Sequence, residues 1–93
     1  MAVYIDDAVH RWRGLRWAHL LADSVPELHA MAAQLGIPRR AWQNRPSGVH
    51  YDVPAHLRDR AIALGTVPVS RHTDRALLRQ LISKARAQYQ PPD

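Results

Sequence analysis

Asp6 and Asp7 stand directly after the β-branched and aromatic run Val3-Tyr4-Ile5, and His50 and Asp52 flank Tyr51 in the middle of the chain. Carboxylates placed where a strand stops lie at the mouth of a sheet, the edge at which open α/β folds keep their ligands. Adjacent acids with a third carboxylate elsewhere suit a hard cation, magnesium or manganese, which takes carboxylate oxygens and waters and holds a phosphate in turn. Asp6, Asp7 and Asp52 are therefore the candidate metal ligands, with His50 the acid–base group beside them. Side chains alternate along a strand, so only one of Asp6 and Asp7 faces such a site if the strand runs through both. The plainer reading is that one of the pair caps a turn while the other is solvated, and that Asp52 caps a helix starting near Pro54.

A second set is His19, Asp23 and His29. On a helix His19 and Asp23 would be one turn apart, and an imidazole beside a carboxylate is both an acid–base pair and a familiar arrangement at metals. Against this, Asp23 also suits a helix cap and His29 the edge of an apolar face. Trp12, Trp17 and Trp42 interleave with Arg11, Arg13, Arg16, Arg39 and Arg40, as stacking platforms for bases do, although a core without phenylalanine also needs indole bulk. There is no phosphate-binding glycine loop, no Gly-x-Ser-x-Gly elbow and no His-Glu-x-x-His, which sets aside P-loop and serine-hydrolase chemistry.

Elements of modest size must position these residues. A chain of 93 residues holds one domain with one modest core, expected over residues 1–89 with a frayed tail at 90–93. Such a small domain gains from pairing, so a homodimer is the expected assembly. The absence of cysteine excludes disulfides, thiolate zinc and cysteine nucleophiles. No apolar window is long enough to span a membrane and no leader is visible, so a cytoplasmic protein is expected. Basic residues exceed acidic ones by 13 to 8, and all but Lys84 are arginine, whose planar fork suits phosphate. Arginine in place of lysine is also what a GC-rich genome encodes.

Val3-Tyr4-Ile5 reads as a buried strand, and Ala8 to Leu21, with cations and indoles around Gly14, reads as a loop. Ser24-Val25-Pro26-Glu27 is a capping box that opens a helix ending at Gly36. Val49 to Val53 reads as a strand, and a helix from Pro54 stops at Gly65. Thr66 to Ser70 is strand-like with Pro68 assigning it to an edge. A last helix runs from about Thr73, its expected cap, to Gln88, and carries Arg75, Arg79 and Arg86 as a basic stripe. The order β-loop-α-β-α-β-α predicts an α/β domain of two or three layers, with a short, mostly parallel three-stranded sheet and about three helices.

Val3-Tyr4-Ile5-Asp6-Asp7, Trp17-Ala18-His19-Leu20 with Ala22-Asp23, Glu27-Leu28-His29, Leu35-Gly36 before Trp42-Gln43, His50-Tyr51-Asp52 and Ala63-Leu64-Gly65 form an ordered set. This set resembles the small bacterial and phage proteins grouped as domain-of-unknown-function family 4031. The resemblance covers roughly residues 1 to 70 and leaves out the last helix. It implies that Asp6, Asp7, Trp17, His19, Asp23, His29, Trp42, His50, Tyr51 and Asp52 share one site, and it supplies no enzyme class.

These readings converge on a domain that binds a phosphate-bearing ligand, nucleotide or nucleic acid, in an Asp/His pocket with a divalent metal supporting phosphoester hydrolysis. Asp6, Asp7 and Asp52 would hold the metal, and His50 or His19 would move the proton. The alternative is a non-catalytic module of phage accessory or regulatory type that contacts protein or DNA.

Overall fold

The eight residues from Leu15 to Ala22 form the strand on which everything else is hung. A computed structural model describes residues 2–92. In chain order these form β1 (Val3–Ile5), β2 (His10–Trp12), β3 (Leu15–Ala22), α1 (Val25–Gln34), a short 3-10 turn (Arg39–Ala41), β4 (Tyr51–Pro54), α2 (Ala55–Ala63), β5 (Val67–Pro68) and α3 (Arg75–Ala87). The α/β class and the three helices are as expected from the sequence. The sheet is not: it has five strands and is mostly antiparallel.

The difference originates between Ala8 and Leu21, where a loop was expected. Trp12 and Leu15 pair across Arg13 and Gly14, which have φ of 51° and 74°. A two-residue turn with positive φ at both positions matches the twist of a hairpin. β2 and β3 are therefore adjacent antiparallel strands.

Leu20 pairs with both Ile5 and Tyr51, and Trp17 with both His10 and Pro54. A strand has two edges, so β1 and β2 share one edge of β3 while β4 takes the other. Because β1 and β4 are each antiparallel to β3, they run parallel to one another with β3 inserted between them. β1 and β4 are therefore parallel but are not neighbours in the sheet. β5 pairs in parallel with β1, and Pro68 lies on that outer strand as its missing donor requires.

The period of two divides β3 between two cores. Ala18, Leu20 and Ala22 join Ile5, Tyr51, Val53, Leu28 and Met31 beneath α1 and α2. Leu21 joins Val69, Leu78, Leu81 and Ala85 beneath α3. α1 begins as expected: the Ser24 hydroxyl accepts from the Glu27 amide, although the Glu27 carboxylate takes a hydrogen bond from that hydroxyl rather than from the Ser24 amide. Pro54 occupies the cap position of α2, just before its first helical residue, and Asp74 rather than Thr73 that of α3. Gln90, assigned to the tail, exchanges two hydrogen bonds with Asn44.

Candidate metal centre

From Ile5 to His10 the edge chain spends four residues, Asp6 to Val9, while β3 advances by two, Ala18 and His19. Such an excursion interrupts the ladder and re-aims a side chain. The Asp6 amide donates to the His19 carbonyl (3.1 Å), but the return bond is made by the Asp6 side chain, whose Oδ1 accepts from the His19 amide at 2.6 Å. Asp6 is therefore drawn into the sheet, with only 1% of its side chain exposed. Its Oδ2 receives the Arg71 guanidinium at 2.9 Å and lies 3.4 Å from both His10 Nε2 and His19 Nδ1. Burial opposes ionisation of Asp6, yet the bonds from His19 and Arg71 outweigh it and hold the carboxyl below its usual range.

On the other edge of β3, Asp52 stands opposite His19 in register. Asp52 Oδ1 is 3.6 Å from His19 Nε2 and 3.4 Å from His50 Nε2. The capping role for Asp52 is not found, because it turns towards these imidazoles. The His50 contact, against the opposing effect of burial, holds Asp52 below the usual carboxylate range. Burial in turn disfavours charge on His50, but Asp52 and the Gly48 carbonyl outweigh it and raise its pKa. The His10 and His19 rings stack with centroids 3.9 Å apart, and those of His19 and His50 lie at 4.7 Å.

Two groups of potential ligands result, Asp6 with His10 and His19, and His19 with His50 and Asp52. The second is the better centre. Asp6 is already neutralised by Arg71, whereas Asp52 has no arginine or lysine within salt-bridge distance among the described residues. The remaining ring nitrogens also have acceptors: His50 Nδ1 is 3.0 Å from the Gly48 carbonyl, and His19 Nδ1 faces Asp6. A proton on each Nδ1 leaves both Nε2 lone pairs directed at Asp52 Oδ1, the tautomer that metal-binding histidines adopt through an outer carboxylate or carbonyl. The separations agree. Asp52 Oδ1 lies 3.4 and 3.6 Å from the two nitrogens, close to the spacing of about 3.4 Å between ligand atoms on a tetrahedral ion with bonds near 2.1 Å.

Residues 3–81 match the family described as Protein of unknown function (DUF4031). The chain belongs to that family. The match runs into α3, so the last helix is not wholly outside DUF4031 as the resemblance suggested. No curated protein and no solved structure matches the chain.

In this DUF4031 domain the expected site residues separate by strand parity. His50 and Asp52 share a face with His19, whereas Tyr51 points to the opposite side, where it is buried beneath α1. There the Tyr51 hydroxyl meets His29 Nδ1 at 2.7 Å, and the Trp42 ring meets His29 edge-on at 4.8 Å. Burial and Arg39 depress the His29 pKa. His29, Trp42 and Tyr51 thus form a separate cluster rather than part of the metal centre. Asp23 is at the far end of β3, bound to the Ala2 amide at 2.8 Å and to Lys84 at 3.1 Å. The helical His19–Asp23 pair does not form, since His19 lies within the extended strand β3 and Asp23 directly after it. Asp7 also leaves the metal set: its carboxylate accepts from the Arg71 amide at 2.9 Å, with Arg58 at 3.9 Å. Trp17 does line the site.

The centre opens on a cavity of about 500 Å³ that includes His10, Trp12, Trp17, Gln43 and Arg45. His10, Arg71 and Gly48 were missed in the sequence. The alternation His10-x-Trp12 and Trp17-x-His19 about Arg13-Gly14 was the available signal. No helix among the described residues is long and apolar enough to cross a membrane.

Proposed function

We propose that this domain is a divalent-metal-dependent phosphoester hydrolase whose ion is held by His19 Nε2, His50 Nε2 and Asp52 Oδ1. The carrying observation is that Asp52 Oδ1 lies 3.6 Å from His19 Nε2 and 3.4 Å from His50 Nε2, with ligand atoms of all three residues within 4.8 Å of one another and each ring's other nitrogen directed at an acceptor. Two imidazoles and one carboxylate suit zinc, manganese or iron(II) better than magnesium, which prefers an all-oxygen shell. This replaces the three-aspartate set: Asp6 serves as the outer carboxylate behind His19, and Asp7 anchors the Arg71 loop. Histidines 19 and 50 become ligands rather than proton carriers.

A divalent ion supplies Lewis acidity to a phosphoryl oxygen and lowers the pKa of water to about 7. His10, stacked on His19 and about one-third exposed, is placed to give a proton to the departing ester oxygen as a hydroxide oxygen, its water having already released a proton to solvent, bonds to phosphorus and the phosphorus–ester bond breaks. Arg45 at the cavity wall neutralises phosphate charge.

The test is calorimetric titration of chelator-treated protein with zinc and manganese, followed by a phosphodiesterase assay. One equivalent should bind, His50→Ala should abolish binding, and His10→Ala should retain the metal but lose turnover. Wild-type metal affinity in His50→Ala would overturn the assignment. A second reading, that the histidines and aspartates only fix the fold, is favoured at Asp6 by its bond to the His19 amide. For that reading Asp52→Asn should also destabilise the fold, and unchanged stability would exclude it.

A further inference from the structure

Three depressions on the α3 face share walls. The first, about 370 Å³, is lined by Arg71, Arg75 and Arg79 with Leu78 and Ile82. The second shares Arg71, Leu78 and Ile82 with it and continues to Arg86, His19 and His50. The third shares His19 and His50 with the second and ends at Trp12 and Trp17. Through these shared walls the three adjoin one another, with arginine in each (Arg75 and Arg79 in the first, Arg71 and Arg86 in the second, Arg45 in the third), Asp6 and Asp52 beside the candidate metal centre, and two indoles at the far end.

The indole end is built, not incidental. Trp17 Nε1 donates to the Trp12 carbonyl at 2.9 Å, which fixes one ring, while Trp12 is 58% exposed and lies 5.8 Å from it at 57°. Arg13 occupies the left-handed region at φ 51° and holds its guanidinium 4.5 Å over the Trp12 ring. The segment from Ala8 to Trp17 contains no carboxylate. Of the acids along these walls, Asp6 is paired with Arg71 and Asp52 belongs to the metal centre.

We infer that these adjoining depressions take a single strand of nucleic acid, its phosphates following the arginines past the metal centre and its bases stacking on Trp12 and Trp17. The inference rests on the hydrolase reading, for which it names the substrate class. Arginines beside an exposed indole, Trp12, and a half-buried one, Trp17, are the elements that sequence-tolerant single-strand binders present. A protein partner or second copy seated on Trp12, Val9 and Leu15 would leave the arginines of α3 without a role.

The experiment measures fluorescence anisotropy of a labelled short oligothymidylate, an abasic strand of equal length and a duplex, in chelator and with manganese. The oligothymidylate should bind roughly tenfold or more tighter than the abasic strand, and Trp12→Ala should remove that preference. A charge-reversed Arg75→Glu/Arg79→Glu variant should weaken both strands alike and flatten the salt dependence. Equal binding of abasic and normal strands would overturn the inference. So would a Trp12→Ala variant that binds the strand normally while a wild-type dimer, seen by sedimentation equilibrium, becomes monomer. Metal binding and turnover of a small phosphodiester without strand preference would overturn this inference alone. Strand preference with no metal uptake would support the strand site and overturn the hydrolase.

Discussion

Asp6 and Asp52 flank the same histidine from opposite edges of β3, yet their surroundings give them different work. Asp6 is buried and replaces a ladder carbonyl, so alanine there removes the acceptor of the His19 amide and the partner of Arg71. The loss should be at least about 2 kcal/mol in urea unfolding. Asp52 is 34% exposed, so Asp52→Asn should change stability by no more than about 0.5 kcal/mol while lowering zinc or manganese affinity about tenfold or more. Equal destabilisation by both variants would contradict this division. His29 allows a separate test, because its pKa in the folded chain is depressed below the ordinary 6.5 by burial and Arg39. The unfolded chain then binds more protons just below 6.5. Stability from the neutral ring is fully present above 6.5 and is lost as pH falls through the folded value. His29→Gln should flatten that acid limb of a melting-temperature profile, and an unchanged limb would remove His29 as its source.

Elements explain which parts of the site were legible in the sequence. β1, β4 and α1 carry strong local signals, and with them Asp6, His50 and Asp52 could be singled out as candidates. The β2–β3 hairpin carries a weak one, since its turn is Arg-Gly where Asn-Gly or Asp-Gly would announce it. Reading that stretch as loop hid His10 and left His19 without its strand. Arginine at a positive φ costs about 1 kcal/mol, less about 0.5 kcal/mol returned by its contact with Trp12. Arg13→Asn should therefore raise the melting temperature slightly, and a fall would show that the cation matters more to the turn than its backbone does. Gly48 makes the opposite case. At φ 133° an added Cβ would lie 3.2 Å from the Ala85 Cβ, and the Gly48 carbonyl fixes the His50 ring. Gly48→Ala should cost about 1–3 kcal/mol and weaken metal binding as well, a pairing visible by combining chemical unfolding with calorimetry.

At the scale of the molecule, the two cores meet in one strand. Leu20 serves the core beneath α1 and α2, and its neighbour Leu21 serves the one beneath α3. The Val49 amide donates to the Ala85 carbonyl at 3.1 Å, and Gln88 Nε2 donates to the Ala22 carbonyl at 3.0 Å, so α3 is tied to both β3 and the approach to β4. Single-sequence patterns register each apolar face but not that one strand supplies both; with the hairpin read as loop, strands alternating with helices made a three-stranded parallel sheet the natural expectation. If the coupling is real, damage on either side must melt the whole. Leu28 and Leu81 are 0% and 2% exposed, and alanine at either should cost about 2–5 kcal/mol, lowering the melting temperature by about 4–8 °C for each kcal/mol. Tryptophan fluorescence and far-ultraviolet dichroism should still report one coincident transition in both variants. Two transitions in Leu81→Ala alone would mean that α3 is a separable layer, and that its arginine face can open without unfolding the candidate metal centre.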